Sequence, residues 1–417
     1  LPSNPLPPDN AALNIALIIL HADPTRGGAE RYTTDLATAL AGRGHRVSLL
    51  SSGAIHQRWI RGHLPGVPYD QVTLQSTGLT RAARYRRFLH SLTQHLDAER
   101  YDIVHAMLPV PRCDLYHPHA GLAAAAVAAG PCLSRWGNRF NRRRHQMAAV
   151  ERQLLDSPSP PIVLCLSNYV KASVRRWYPA VPEDRLVRLF NGTDLARFDP
   201  AARPDAGAPL RARLGIAPGA VVALMLAQDF ARKGLETAIR AIAAVNDANL
   251  ILLVAGRDNP TAYRRLATSL GVEKRICFAG QTDDPYAFYR AADLFVLPTR
   301  HDPCSLVVLE ALAMGVPVIT TGHNGAAEAM VPGRHGVILE DPTDVSALAA
   351  ALVSLLAAPA RAAQAAHCLA LRPTLSQAAH VDALEAIYRQ VQGSTGGPGA
   401  IGFAKQSLAA GGNLDTL

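Results

Sequence analysis

Lysine is nearly missing from this sequence: Lys171, Lys233, Lys274 and Lys405 stand against a combined lysine and arginine total of 42. Arginine therefore carries the net charge of +9, and its planar fork recognises phosphate and carboxylate bidentately. A GC-rich genome produces the same bias, so charge alone chooses no partner among nucleic acid, anionic lipid and phosphorylated substrate. Long apolar runs are missing too. No window approaches the roughly 18 uncharged apolar residues of a membrane-spanning helix, and the Ala-rich run at 122–129 is far too short. No transmembrane helix is expected. The cysteines Cys113, Cys132, Cys165, Cys277, Cys304 and Cys368 include no CxxC and no metal-ligand spacing. They read as reduced core residues of a cytosolic protein, with no metal site expected. The opening Leu1-Pro2-Ser3-Asn4-Pro5 lacks an initiator Met and an apolar h-region, and is not expected to act as a signal peptide.

What is present is a long α/β alternation. A chain of 417 residues, 49% hydrophobic and 18% charged, predicts two domains. Short apolar runs at 14–20, 47–51, 71–74, 102–107, 114–119 and 162–166 predict one parallel strand series, with helices over 28–41, 81–96 and 169–177. Ser167 is placed to N-cap the last of these. A second series is predicted at 221–227, 250–255, 276–279, 294–298, 316–320 and 336–339. Between them, Asn191-Gly192-Thr193-Asp194 and a Pro/Ala/Gly-rich stretch to Pro209 suit a linker. Two doubly wound parallel sheets joined this way place ligands in a cleft at the strands' carboxyl ends.

Five constellations can carry chemistry. Gly27-Gly28 follows the first strand, where a helix N-terminus suits a diphosphate or an acceptor; the plainer reading is a tight βα turn. It is not GxGxxG, so NAD binding is disfavoured. Arg232-Lys233 follows the first strand of the second series, where two cations and free helix-start amides could clamp a diphosphate; a solvated surface pair is the plainer reading. The segment Asp302-Pro303-Cys304-Ser305-Leu306 runs into a helix that carries Glu310. Its two carboxylates could accept sugar hydroxyls, its loop amides could add donors, and the plainer reading is a helix start with an ordinary helical Glu. His119 ends a predicted strand and could touch a transferred sugar, with His117 competing for the role and His105 read as a core residue. Finally, Arg135, Trp136, Arg139, Phe140, Arg142, Arg143 and Arg144 interleave cations with aromatics. That mixture suits an anionic membrane surface, a phosphorylated acceptor or a solvated helix face. No nucleic-acid motif accompanies it, so no nucleic-acid partner is expected.

Taken in order, GGAERYTTDLATALAGRGHRVSLL, NGTDLARF, ARKG and SLVVLEALAMGVPVI resemble the retaining GT-B glycosyltransferases of family 4. Within that family the chain is similar to the lipopolysaccharide-core glucosyltransferase I group, by DFxRKG, by Asp114–Tyr116 and by the aromatic/basic stretch. The resemblance implies two Rossmann-like domains facing a central cleft: an acceptor domain at 13–195, a linker at 196–209, a donor-nucleotide domain at 210–375, and a helix at 376–392 crossing back. Residues 1–12 and 393–417 are expected to be loose.

By the same resemblance, glucose would pass from UDP-glucose to a heptose of a glycolipid core, with retained configuration and with no metal and no cofactor beyond the donor. Gly27 and Gly28 would lie beside the diphosphate and acceptor, and Arg232 and Lys233 on the diphosphate. Asp302, with amides near Cys304 and Ser305, would hold the sugar, Glu310 the ribose, and His119 the sugar's far hydroxyl. The work would take place at the inner face of the cytoplasmic membrane. The chain departs from the family pattern where Asp302 replaces a Glu, where Pro303 and Cys304 replace glycines, and where Gln228 stands near a usual Arg. A UDP-sugar epimerase of the same fold and a non-catalytic nucleotide-sugar binder are the competing readings.

Overall fold

Asn14–Ile18 (β1) is buried at four of its five residues, as a central strand covered on both faces must be. The computed structural model describes residues 11–54, 57–63, 66–128 and 142–394. Around β1 run β2 (Arg46–Gly53), β3 (Trp59–His63), β4 (Asp70–Gln75), β5 (Ile103–Ala106), β6 (Leu115–Tyr116), β7 (Ile162–Cys165) and β8 (Leu186–Arg188). They form one sheet in the order β3-β4-β2-β1-β5-β6-β7-β8. Its helices are α1 (Gly28–Gly42), α2 (Arg81–Ala98), α3 (Ala123–Ala128), α4 (Arg142–Leu155) and α5 (Asn168–Trp177).

Three features of this sheet differ from the sequence expectation. β3 pairs antiparallel with β4; an edge strand needs no continuous apolar run, and this one carries Arg61 and Gly62 exposed. β8 adds three residues beyond β7, too short to show a period. The strand expected at 114–119 shrinks to Leu115–Tyr116. Pro118 cannot donate to a ladder, and the Asp114 carboxylate accepts from the Val104 N–H at 2.7 Å.

A second sheet, all parallel, contains β9 (Val221–Leu226), β10 (Leu250–Ala255), β11 (Ile276–Gly280), β12 (Leu294–Leu297), β13 (Val318–Thr321) and β14 (Gly336–Leu339). Its order is β11-β10-β9-β12-β13-β14. With it go α6 (Gly207–Arg213), α7 (Leu235–Ala244), α8 (Thr261–Ser269), α9 (Pro285–Ala291), α10 (Leu306–Ala313), α11 (Val345–Ser354) and α12 (Ala358–Ala370). The apolar pair α11 and α12 bends by 93°, and α11 packs on α7, β13 and β14. No single described helix is long and apolar enough to cross a membrane.

The chain divides into two compact units. One runs to Leu166, takes in Val170–Leu189 and resumes at Val381; the other comprises Ser167–Tyr169 and Phe190–His380. The last helix, α13 (Gln377–Ser394), thus changes unit at His380/Val381. Within the first unit its Tyr388 hydroxyl lies 2.7 Å from His105 Nδ1, and its Glu385 lies 3.2 Å from His45 Nε2.

The stretch 196–209, expected as a linker, is instead packed on the second unit. Phe198 is 1% exposed and stands edge-on to Tyr289. Arg203 pairs with Asp284 at 2.8 Å. A Cβ on Gly207 would lie 2.3 Å from the Arg290 carbonyl, so only glycine fits there. Gly192 is held as closely, with a Cβ falling 2.5 Å from Gln377 Cα. These glycines mark contact, where the sequence suggested flexibility. Among the described cysteines, Cys165, Cys304 and Cys368 are buried, Cys113 and Cys277 half-buried, and all are free.

Candidate active site

The second unit gathers its polar groups at the carboxyl ends of β9 and β12. After β9 the chain turns through Asp229–Gly234 before α7 begins. Gly234 makes the turn possible: it sits at φ 81°, and a Cβ there would lie 2.1 Å from the Pro298 carbonyl. Arg232 and Lys233 were expected to offer helix-start amides to a ligand. The turn takes those amides up itself. Arg232 N–H donates to Asp229 Oδ1 at 3.0 Å, Lys233 N–H to the Asp229 carbonyl at 3.0 Å, and Leu235 N–H to the Phe230 carbonyl at 3.0 Å. What remains for a ligand is the pair of cations.

Those cations reach the loop after β12. The Lys233 ammonium pairs with the Asp302 carboxylate, both side chains about one-tenth exposed. Arg232 donates to the His301 carbonyl at 2.8 Å and meets Asp229 at 3.2 Å. Burial alone would raise the Asp302 carboxyl, but Lys233, Arg232 and His301 outweigh it and hold it below the ordinary range. Burial draws the Lys233 ammonium down, against the upward pull of Asp302. The two side chains form one buried ion pair.

The Asp302 loop is fixed from three sides. Asp302 N–H donates to the His323 carbonyl, and its own carbonyl accepts from Gly325 N–H, both at 2.9 Å. A Cβ on Gly325 would fall 1.9 Å from the Pro303 carbonyl, so the two loops meet backbone to backbone. Ser305 N–H, expected to face a sugar, donates to Asn324 Oδ1 at 3.2 Å. The Ser167 hydroxyl donates to the Pro303 carbonyl at 2.8 Å. The expected cap on α5 comes from Glu328, whose carboxylate accepts from Asn168 and Tyr169 N–H, each at 2.9 Å. Cys304 is buried and Leu306 half-buried at the start of α10.

Glu310 lies inside α10, a helix buried on nearly every side, and is 2% exposed. The Tyr289 hydroxyl lies 2.8 Å from its Oε2. A carboxylate carried into an apolar helix is costly without such donors, which marks Glu310 as more than an ordinary helical Glu.

Sequence reasoning missed several members. Tyr169 puts its hydroxyl 2.7 Å from His301 Nδ1, and Asn324 braces the loop through Ser305 and Ala326. Arg257, just past β10, reaches the Gln228 amide at 3.1 Å. That sets a guanidinium beside Gln228. Only Arg257 had a readable signal, a cation directly following a predicted strand. Among the described residues no group of three or more His, Cys, Asp or Glu is disposed to hold a metal ion.

In the first unit, Gly27 caps α1 in extended conformation, φ 179°, with Glu30 Oε2 3.0 Å from where a Cβ would stand. That neighbour is the tip of a flexible side chain, so neither space nor backbone angle demands glycine here. His119 rests on Tyr32, ring centroids 4.2 Å apart. Of the competing histidines, His117 is fully buried between His105 and Tyr32, while His119 keeps 8% exposure. Arg142, Arg143 and Arg144 open α4; Arg135, Trp136, Arg139 and Phe140 lie outside the described residues.

Comparison with known proteins bears on the family and the fold. The model for Glycosyltransferase Family 4 matches residues 26–197, and that for Glycosyl transferases group 1 matches residues 208–367. The lipopolysaccharide glucosyltransferase WaaG of Escherichia coli is 27% identical over 76% of this chain and 82% of its own length. A GDP-mannose-dependent phosphatidylinositol monomannoside mannosyltransferase of Mycolicibacterium smegmatis is 31% identical over 58% of this chain and 68% of its own. The crystal structure of WaaG, a glycosyltransferase involved in lipopolysaccharide biosynthesis, superposes with a TM-score of 0.77 at 25% identity, covering 92% of this chain and all of that one. With a family model on each sheet and a fold shared over 92% of its length, the chain is a GT-B glycosyltransferase and belongs to the group 1, family 4 glycosyltransferases.

Proposed function

We propose that this chain transfers glucose from UDP-glucose to a lipopolysaccharide-core type acceptor, a heptose-bearing glycolipid, with retention of configuration and without metal or cofactor. One observation carries the reading: the buried Lys233–Asp302 pair beside Arg232, at the carboxyl edge of the second sheet. When the donor enters, Lys233 and Arg232 take its diphosphate, and Asp302 turns from Lys233 to the sugar hydroxyls. Glu310 takes the ribose, and His119, Gly27 and Gly28 serve the sugar and acceptor. The bond from the anomeric carbon to the diphosphate oxygen breaks as the acceptor oxygen bonds that carbon on the same face. The acceptor's proton passes to the leaving diphosphate oxygen. Charge accumulates on the diphosphate in that transition state, so fixed cations there lower the barrier, and they supply positive charge without a metal. Arg142, Arg143 and Arg144, with the basic and aromatic residues before them, would hold the enzyme peripherally at the inner face of the cytoplasmic membrane.

A thermal-shift panel tests the donor, because a ligand that binds only the native state raises the melting point. UDP-glucose is expected to stabilise more than UDP-galactose, ADP-glucose or GDP-mannose. A preference for GDP-mannose would overturn the donor, and UDP binding without transfer to any core acceptor would overturn the activity.

A further inference from the structure

The loop expected to hold the transferred sugar gives its amide protons to the protein instead. Asp302 N–H goes to the His323 carbonyl at 2.9 Å, Pro303 has no N–H, and Ser305 N–H goes to Asn324 Oδ1 at 3.2 Å. None of the three has an amide proton to offer a sugar. The Asp302 carboxylate remains, and an ionised carboxylate only accepts. A sugar hydroxyl both donates and accepts, so a site that holds one closely needs a donor beside that acceptor.

His301 stands next to the carboxylate and is fixed at both ends. Its carbonyl accepts from Arg232 at 2.8 Å, which ties its backbone to the turn after β9. Its ring Nδ1 lies 2.7 Å from the Tyr169 hydroxyl. Tyr169 belongs to the second unit with Ser167. The Ser167 hydroxyl donates to the Pro303 carbonyl at 2.8 Å, and Glu328 accepts from Tyr169 N–H at 2.9 Å.

The charge of Asp302 reaches both rings. Burial raises the Tyr169 hydroxyl and Asp302 raises it further. Burial draws the His301 imidazolium down, with Arg232, Lys233 and His323 adding to it and Asp302 opposing. The imidazole is therefore neutral near pH 7 and carries one N–H. The Tyr169 hydroxyl has no other hydrogen-bond partner among the described residues, so its proton goes to Nδ1 and the imidazole proton sits on Nε2. That Nε2 has no partner among the described residues and is not buried, and His301 as a whole is half-buried.

We propose that His301 is a specificity-determining residue whose Nε2–H donates to a hydroxyl of the transferred sugar, the same hydroxyl that donates to Asp302. Tyr169 is its positioning residue, fixing the tautomer and the ring plane. This deepens the reading above and rests on its placing the transferred sugar at Asp302.

The test is calorimetric titration of the full chain with UDP-glucose, its monodeoxy analogues and UDP. In wild type one deoxy analogue is expected to bind about three- to tenfold more weakly than UDP-glucose, as the loss of one neutral hydrogen bond requires. His301→Ala should weaken UDP-glucose by a similar factor, leave UDP unchanged, and bind that analogue no worse than UDP-glucose. His301→Gln keeps an N–H donor and should recover part of the loss. Tyr169→Phe should lose less than His301→Ala, and these two variants carry the test should His301→Ala fold poorly. Equal weakening of UDP and UDP-glucose, or a deoxy penalty that persists in full in His301→Ala, overturns the role of His301. An unaffected Tyr169→Phe overturns that of Tyr169. A wild type that takes GDP-mannose in place of UDP-glucose overturns the donor named above and not this site; the same comparison is then read between GDP-mannose, its deoxy analogues and GDP.

Discussion

Two groups of cations, one in each unit, are kept in opposite ways. In the second unit Lys233 is paired with Asp302 and Arg232 is tied to Asp229 and the His301 carbonyl. In the first, Arg81, Arg84 and Arg143 have no carboxylate pair among the described residues. A paired, buried cation is held to a fixed position, and a ligand must take it from its partner. An unpaired, exposed cation takes any anion without exchange but fixes it less closely. Positional accuracy belongs where bonds break, so the paired set suits the leaving group and the unpaired set suits recognition of charge.

The sharpest way to break this contrast is Lys233→Ala. Turnover is expected to fall about tenfold or more, because a cation on the leaving diphosphate acts mainly in the transition state. The fold should also lose about 3–5 kcal/mol, because Asp302 is left buried and unpaired. That second loss depends on pH. Asp302 is held below the ordinary carboxylate range, so the pair's stabilisation is present above that range and fades as pH falls through the folded value. The melting gap between wild type and variant should therefore hold from about pH 7 to about pH 4 and narrow below that. Adding Asp302→Asn should restore melting temperature without restoring turnover. Recovery of both would give Lys233 a purely structural role.

A smaller effect separates buried carboxylates by task. Glu151 of the first unit is fully buried and accepts from Tyr116 and Tyr178 hydroxyls at 2.5 and 2.8 Å, and from Ala123 and Ala124 N–H at 2.9 Å each. Its partners are all protein, and it anchors the start of α3. Glu151→Gln places an amide group against donors and should cost about 2 kcal/mol, read by urea unfolding, with the UDP-induced melting shift preserved. Loss of that shift would show that Glu151 serves the donor site after all.

What the sequence made legible follows from where its information is local. The strands of both sheets are apolar runs that declare themselves, and ARKG and the Asp302–Glu310 spacing mark the loops of the proposed donor site. Long-range partners left no such mark. Ser167, read as a cap, donates to Pro303, which lies 136 positions on, and Glu328 does the capping from another loop. Gly192 and Gly207 look like hinge residues by composition, yet each is a place where two backbones touch. The amides after β9 were expected to be open because Asp229 had not been seen to fold back on them. Edge strands β3 and β8 escaped notice because a partly solvated strand needs no apolar run.

The finest test asks whether the first unit's arginines stand together at all. His21 is half-buried, its Nδ1 3.5 Å from the Ser52 hydroxyl. Its imidazolium is pushed down to about 4 by burial first and then by Arg26, Arg143 and Arg84, with Asp23 opposing. Burial would survive Arg84→Ser or Arg143→Ser, but part of the repulsion would not. Each substitution should therefore raise the His21 titration midpoint, and the pair should raise it further, as followed by NMR of the imidazole protons. A midpoint indifferent to both arginines would mean that the loop after β1, α2 and α4 do not converge. The contrast between paired and unpaired cations would then hold for the Lys233 and Asp302 loops alone.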